Sequence, residues 1–151
     1  MQRIEERREA GVATKDVVEG LAKVPLFHGC SNRELQAVAM AVKEIDHAAG
    51  TMIAREGEPG IGLFVIADGS AQVTIGGRKK SILRKGDFFG EIALLDGGPR
   101  TATVTATTDV KLYGLTEWTF RGLMQQDPRI AIKVLVGMAG RLRAATKDAN
   151  A

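Results

Sequence analysis

The 151-residue sequence contains a single cysteine, Cys30, so no intramolecular disulfide can close, and the position reads as a small apolar residue rather than a reactive thiol. It has two histidines, His28 and His47, with no pair at ligand spacing, which leaves a structural or catalytic metal little to bind. No apolar run nears the roughly 20 residues a membrane helix needs. The first residues, MQRIEERREA, lack the apolar stretch of a signal peptide, so the expectation is a cytoplasmic protein with no membrane span. Internal repeats and low-complexity segments are missing too.

What is present suits one soluble domain, with 44% apolar and 26% charged residues. The net charge of +3 is spread along the chain except for Arg78-Lys79-Lys80 beside Gly76-Gly77. That cluster reads as a solvated loop, and nucleic acid is not the expected partner.

Residues 1–13 carry little apolar character beyond Ile4 and read as a tail or frayed helix, ahead of one domain over 14–148. Val17, Val18, Leu21 and Ala22 predict a helix over about 14–24 that stops before Pro25. Ser31 with Glu34 forms a capping box, and Leu35, Val38, Val42 and Ile45 extend that helix over 31–45. From about 46 to 115 turn signals recur between short Val, Ile, Thr and Phe-rich runs such as LFVIA, AQVTI, KSILR and VKLYGL. The pattern predicts a mainly β fold with flanking helices, an antiparallel roll of jelly-roll type. Thr116 caps a helix to about 126, with Trp118 and Phe120 read as core, and Asp127-Pro128 opens a last helix over 128–147. Ile130, Val134, Leu135, Met138 and Leu142 read as one apolar face of it.

The chemistry concentrates in FGEIALLDGGPRTATV, residues 89–104. EIALL fits one helical turn ended by Gly97-Gly98, and Gly90 leaves its first N–H groups, around Ile92 and Ala93, open to an anion. Arg100 adds a fork of donors suited to two phosphate oxygens. Glu91 would repel such an anion, so its partner must be a neighbouring hydroxyl, and acid and base together read a ribose phosphate. The plainer reading, a salt bridge between Glu91 and Arg100, leaves Gly90, the open amides and Thr101 unexplained.

FGEIALL followed by PRTATV is similar to the phosphate-binding cassette of the cyclic nucleotide-binding domain family, found in cyclic-nucleotide-dependent kinases, nucleotide-gated channels and bacterial catabolite-activator-type regulators. The likeness extends through REGEPG, LFVIADGSAQV and KGDFFGE, from about Pro25 to Leu142. It implies ribose contacts from Gly90 and Glu91, and phosphate contacts from Ile92, Ala93, Arg100, Thr101 and Ala102. More loosely, it implies a wall against the base from Val73 and Leu83, and a lid from Met138, Arg141 and Leu142. Ile61-Gly62 departs from the Asp-containing turn of many members.

The function implied is non-catalytic: a regulatory protein binding cAMP by preference, or cGMP, with no other cofactor. Thr101 is the residue that resembles cGMP sites. Signalling is expected through movement of the C-terminal helix, with a protein partner on the C-terminal or N-terminal helices. The chain runs only a few residues past Lys147, so a sensor without its own output domain is expected. One alternative is an interaction module of the same fold whose pocket is empty or takes a different anion. A phosphodiesterase is disfavoured because two histidines and no acidic cluster supply neither metal-held water nor a base.

Overall fold

The computed structural model describes residues 12–150, with side chains over 15–147. The expected tail over 1–13 therefore lies outside the described residues except for its last two. Helix α1, Val12–Ala22, is followed by a 3-10 turn at Pro25–Phe27 and by α2, Asn32–Ala39. Ser31 caps α2 reciprocally: its hydroxyl accepts from Glu34 N at 3.2 Å while Glu34 Oε1 accepts from Ser31 N at 2.7 Å.

The predicted continuation of this helix to residue 45 is corrected. The chain leaves the helix after Ala39, and Lys43–His47 forms β1, which pairs antiparallel with residues 110–114. Val42 and Ile45 do fit a helical period, but both are β-branched and the next strand offers Ile45 a place against the second core cluster.

The remaining strands are β2 Met52–Ala54, β3 Gly62–Asp68, β4 Ala71–Ile75, β5 Arg78–Leu83, β6 Phe88–Phe89, β7 Thr103–Ala106 and β8 Val110–Thr116. They form two four-stranded antiparallel sheets, ordered β1-β8-β3-β6 and β2-β7-β4-β5. Arg78, Lys79 and Lys80 lie on strand β5 at a sheet edge, which corrects their reading as a loop.

Strand alternation divides the core in two. Leu63, Val65, Tyr113 and Leu115 face the helices, while Phe64, Ile66, Val110 and Leu112 face the opposite sheet. Both faces of β3 and β8 are thus covered, which is why LFVIA and VKLYGL read as nearly continuous apolar runs. Among the helices, the rings of Phe27 and Phe120 meet edge to face at 5.6 Å.

Helix α3, Ala93–Asp96, is the predicted single turn, closed by Gly97 in the left-handed conformation at φ 64°. Thr116 caps α4, Glu117–Gln126. With that phase Phe120 is fully buried, but Trp118 is 66% exposed and its assignment to the core is corrected. Helix α5, Pro128–Asn150, buries Ile130 and Val134 and seats Met138 against the helical core. Leu135 and Leu142, expected on the same face, point outward at 68% and 69% exposure. The inward stripe uses the 130, 134 and 138 spacing; Leu135 falls on its flank, and Leu142 continues the stripe by one turn but lies where α5 has run past the core, every residue from 139 to 147 being exposed. Among the described residues no helix is long and apolar enough to cross a membrane.

Candidate functional site

Arg100 is set by its backbone before its side chain is considered. Its N–H donates to Glu58 O at 2.7 Å, its carbonyl accepts from Gly57 N at 2.8 Å, and Gly60 N donates to Gly98 O at 2.9 Å. This ladder between the 55–61 and 97–102 segments drives the guanidinium inward, to 9% exposure. There Nη2 donates to Gly62 O at 2.9 Å. The charge also lies 5.6 Å from the centre of the Phe64 ring and 5.9 Å from that of Phe89. Those two rings stack on each other at 5.2 Å.

Burial pushes the Arg100 guanidinium below its ordinary pKa, yet Nη1 is buried without a hydrogen-bond partner. A buried donor on a charged group, left unpaired, is costly. Space for it exists only because residue 90 is glycine. Gly90 sits at φ 84°, and a Cβ there would overlap Arg100 Nη1 and Gly62 O.

Glu91 is also buried, at 8% exposure, and its Oε2 has no partner either. The two charges do not pair with each other. Glu91 Oε1 instead meets Arg141 Nη1 from α5. The two residues that carry these unpaired atoms, Arg100 and Glu91, both line one cavity of about 330 Å³.

The seven residues expected at ribose and phosphate, Gly90, Glu91, Ile92, Ala93, Arg100, Thr101 and Ala102, all line this cavity. In the α3 turn Leu94 N is bonded to Gly90 O at 3.2 Å, so Ile92 and Ala93 precede the first satisfied amide. Ala54 and Val104 complete the apolar wall, and Asp96 reaches its edge. The five residues expected at the base do not line it. Val73 and Leu83 pack into the core between the sheets, although Val73 is paired with the wall residue Val104. Met138 packs on the helical core, and Leu142 is exposed. Arg141 comes near through Glu91 alone.

Sequence reasoning missed Gly62, Phe64 and the cation-π role of Phe89. Gly62 stands out only as a departure from a motif, and a carbonyl acceptor leaves no side-chain signature. Phe64 reads as one more core residue in LFVIA.

Residues 44–127 match the family model described as the cyclic nucleotide-binding domain. The chain belongs to this family. Two antiparallel sheets with flanking helices are the β-roll of cyclic nucleotide-binding domains. A cAMP-dependent protein kinase regulatory subunit of Colletotrichum orbiculare is 38% identical over 106 residues, 69% of this chain and 27% of that protein. A CRP-like cAMP-activated global transcriptional regulator of Mycobacterium tuberculosis is 30% identical over 130 residues, 83% of this chain and 58% of the regulator. The chain therefore spans between about a quarter and somewhat more than half of these curated relatives. Among solved structures, the N-terminal domain of a transcriptional regulator from Streptomyces coelicolor A3(2) is similar, with TM-score 0.78 and 30% identity. It covers 86% of this chain and 94% of that one.

Proposed function

We propose that this cyclic nucleotide-binding domain takes a 3',5'-cyclic nucleotide, cAMP in preference to cGMP, in the cavity beside α3 and acts as a non-catalytic regulator. The observation that carries the reading is the pair of orphaned buried polar atoms, Arg100 Nη1 and Glu91 Oε2, on two residues that line one cavity. A phosphodiester satisfies the first and a ribose 2'-hydroxyl the second. Gly90 and Glu91 contact the ribose. Ile92, Ala93 and Ala102 donate backbone N–H groups to the phosphate, with Arg100 and the Thr101 hydroxyl beside them. The preference for cAMP is supported by relatives whose names specify cAMP.

Output runs through α5. Arg141 ties that helix to Glu91, so a ligand that engages the carboxylate changes what holds the end of the helix. The exposed stripe of Ile132, Leu135, Val136 and Leu142 is the surface a protein partner reads. The cavity wall includes no histidine to act as a base.

Arg100→Ala removes charge-assisted bonds worth about 1.5 to 3 kcal/mol each, so cAMP affinity falls at least about tenfold while the circular dichroism spectrum is retained. Unchanged titrations with both nucleotides in that variant contradict the assignment. Appearance of AMP on incubation with cAMP contradicts the non-catalytic part.

A further inference from the structure

The net charge of this protein resides in one hairpin. Between Gly69 and Gly86 there are five basic residues, Arg78, Lys79, Lys80, Arg84 and Lys85, and no acidic one. Taking these five from the 21 basic residues leaves 16 against 18 acidic, so the rest of the chain is net −2. All five are exposed, and among the described residues none of them forms an ion pair. Glu56, the acid at the hairpin tip, accepts Gly76 N at 3.0 Å.

Three of the five lie on β5, which pairs with β4 on one side only. At six residues it is the longest edge strand of either sheet, against five for β1, three for β2 and two for β6. A bulge at Lys80 interrupts the pairing between Lys79 and Ser81; on either side of it alternate N–H and C=O groups face outward and can take another strand. A second copy of the same edge would bring the three cations of one strand against the three of the other, with Arg84 and Lys85 close by on each, so charge blocks self-pairing.

We propose that β5 is a docking strand for an extended acidic segment of a partner protein, added to the β2-β7-β4-β5 sheet. Main-chain bonds supply its affinity, and the five cations its choice of partner. Single-stranded nucleic acid would want aromatic platforms, and residues 69–86 contain none. A lipid surface would want a broad apolar face, whereas the hairpin shows only Ile75 and Ile82, 41% and 37% exposed.

The test is fluorescence anisotropy with the intact protein and a labelled peptide alternating glutamate and threonine. Saturable binding is expected, weakening when salt rises from about 50 to about 300 mM. The double variant Lys79→Glu/Lys80→Glu loses affinity about tenfold or more while its cAMP titration stays as in the parent, which separates this surface from the nucleotide site. A peptide N-methylated at alternate residues keeps the charge and loses about tenfold, in at least one of the two methylation registers. Absence of saturable binding overturns the proposal. So does equal binding of the methylated peptides, which would leave charge attraction alone, or tighter binding of oligothymidylate or phosphatidylserine vesicles than of the acidic peptide.

Discussion

Gly90→Ala tests how the cavity is held open. The added Cβ would overlap Arg100 Nη1 and Gly62 O and lie 3.0 Å from Arg100 Cζ, so the guanidinium must withdraw. Withdrawal breaks the 2.9 Å bond from Nη2 to Gly62 O, a charged hydrogen bond worth about 1.5 to 3 kcal/mol. Holding alanine at φ 84° adds about 1 to 2 kcal/mol. The sum, about 3 to 5 kcal/mol, is a large part of the 5 to 15 kcal/mol typical of a whole domain, so the variant folds but is weakened. At about 2 to 4 °C per kcal/mol for a chain of this size, the Tm falls by roughly 6 to 20 °C. Thermal unfolding followed by circular dichroism reads this, and a cAMP titration at low temperature reads the accompanying loss of binding. A variant melting within about 2 °C of the parent and binding cAMP equally well would show that Arg100 does not depend on the space at residue 90.

Other expectations follow from single contacts. Phe120→Ala removes a fully buried ring that meets Phe27 edge to face, costing about 3 to 5 kcal/mol in denaturant unfolding; a loss below about 1 kcal/mol would refute the helical core as described. Ser31→Ala removes the α2 cap and costs about 1 kcal/mol, whereas Ser31→Asp keeps most of it. Lys133 Nζ, 2.6 Å from Glu34 Oε1, together with Ser31, lowers the Glu34 carboxyl from about 4.5 to about 2. Its folded pKa is the depressed one, so the stabilisation is complete above pH 4.5 and is lost as pH falls from there towards 2. Lys133→Met reduces that slope in acid-unfolding curves, and an unchanged slope would show that the pair does not couple α2 to α5.

The cassette was legible because its meaning is local. Gly90, Glu91, the α3 turn and Arg100 lie within one short stretch, and each residue type is dictated by a need that can be named without the fold: an open backbone, an acceptor, an exposed amide, a fork. The boundary between α2 and β1 was not legible, because Val42 and Ile45 satisfy a helical and a strand pattern alike and only pairing with β8 chooses. Trp118 looked like core from its size, but the phase set by the Thr116 cap turns Phe120 inward in its place. Met138 and Leu142 share one face of α5, but the helix is exposed at every position from 139 to 147, so the apolar stripe runs on past the core it packs against. The tie from Arg141 to Glu91 joins elements far apart in sequence, which no periodicity could report.

Calorimetric titration of the intact protein with cAMP and with 2'-deoxy-cAMP tests the central claim most directly, because it asks separately for the phosphate and for the hydroxyl. One saturable site for cAMP, with the deoxy compound weaker by about tenfold or more, is the result the geometry of Arg100 and Glu91 requires. No saturable heat with cAMP, or equal affinity for the two compounds, would contradict it.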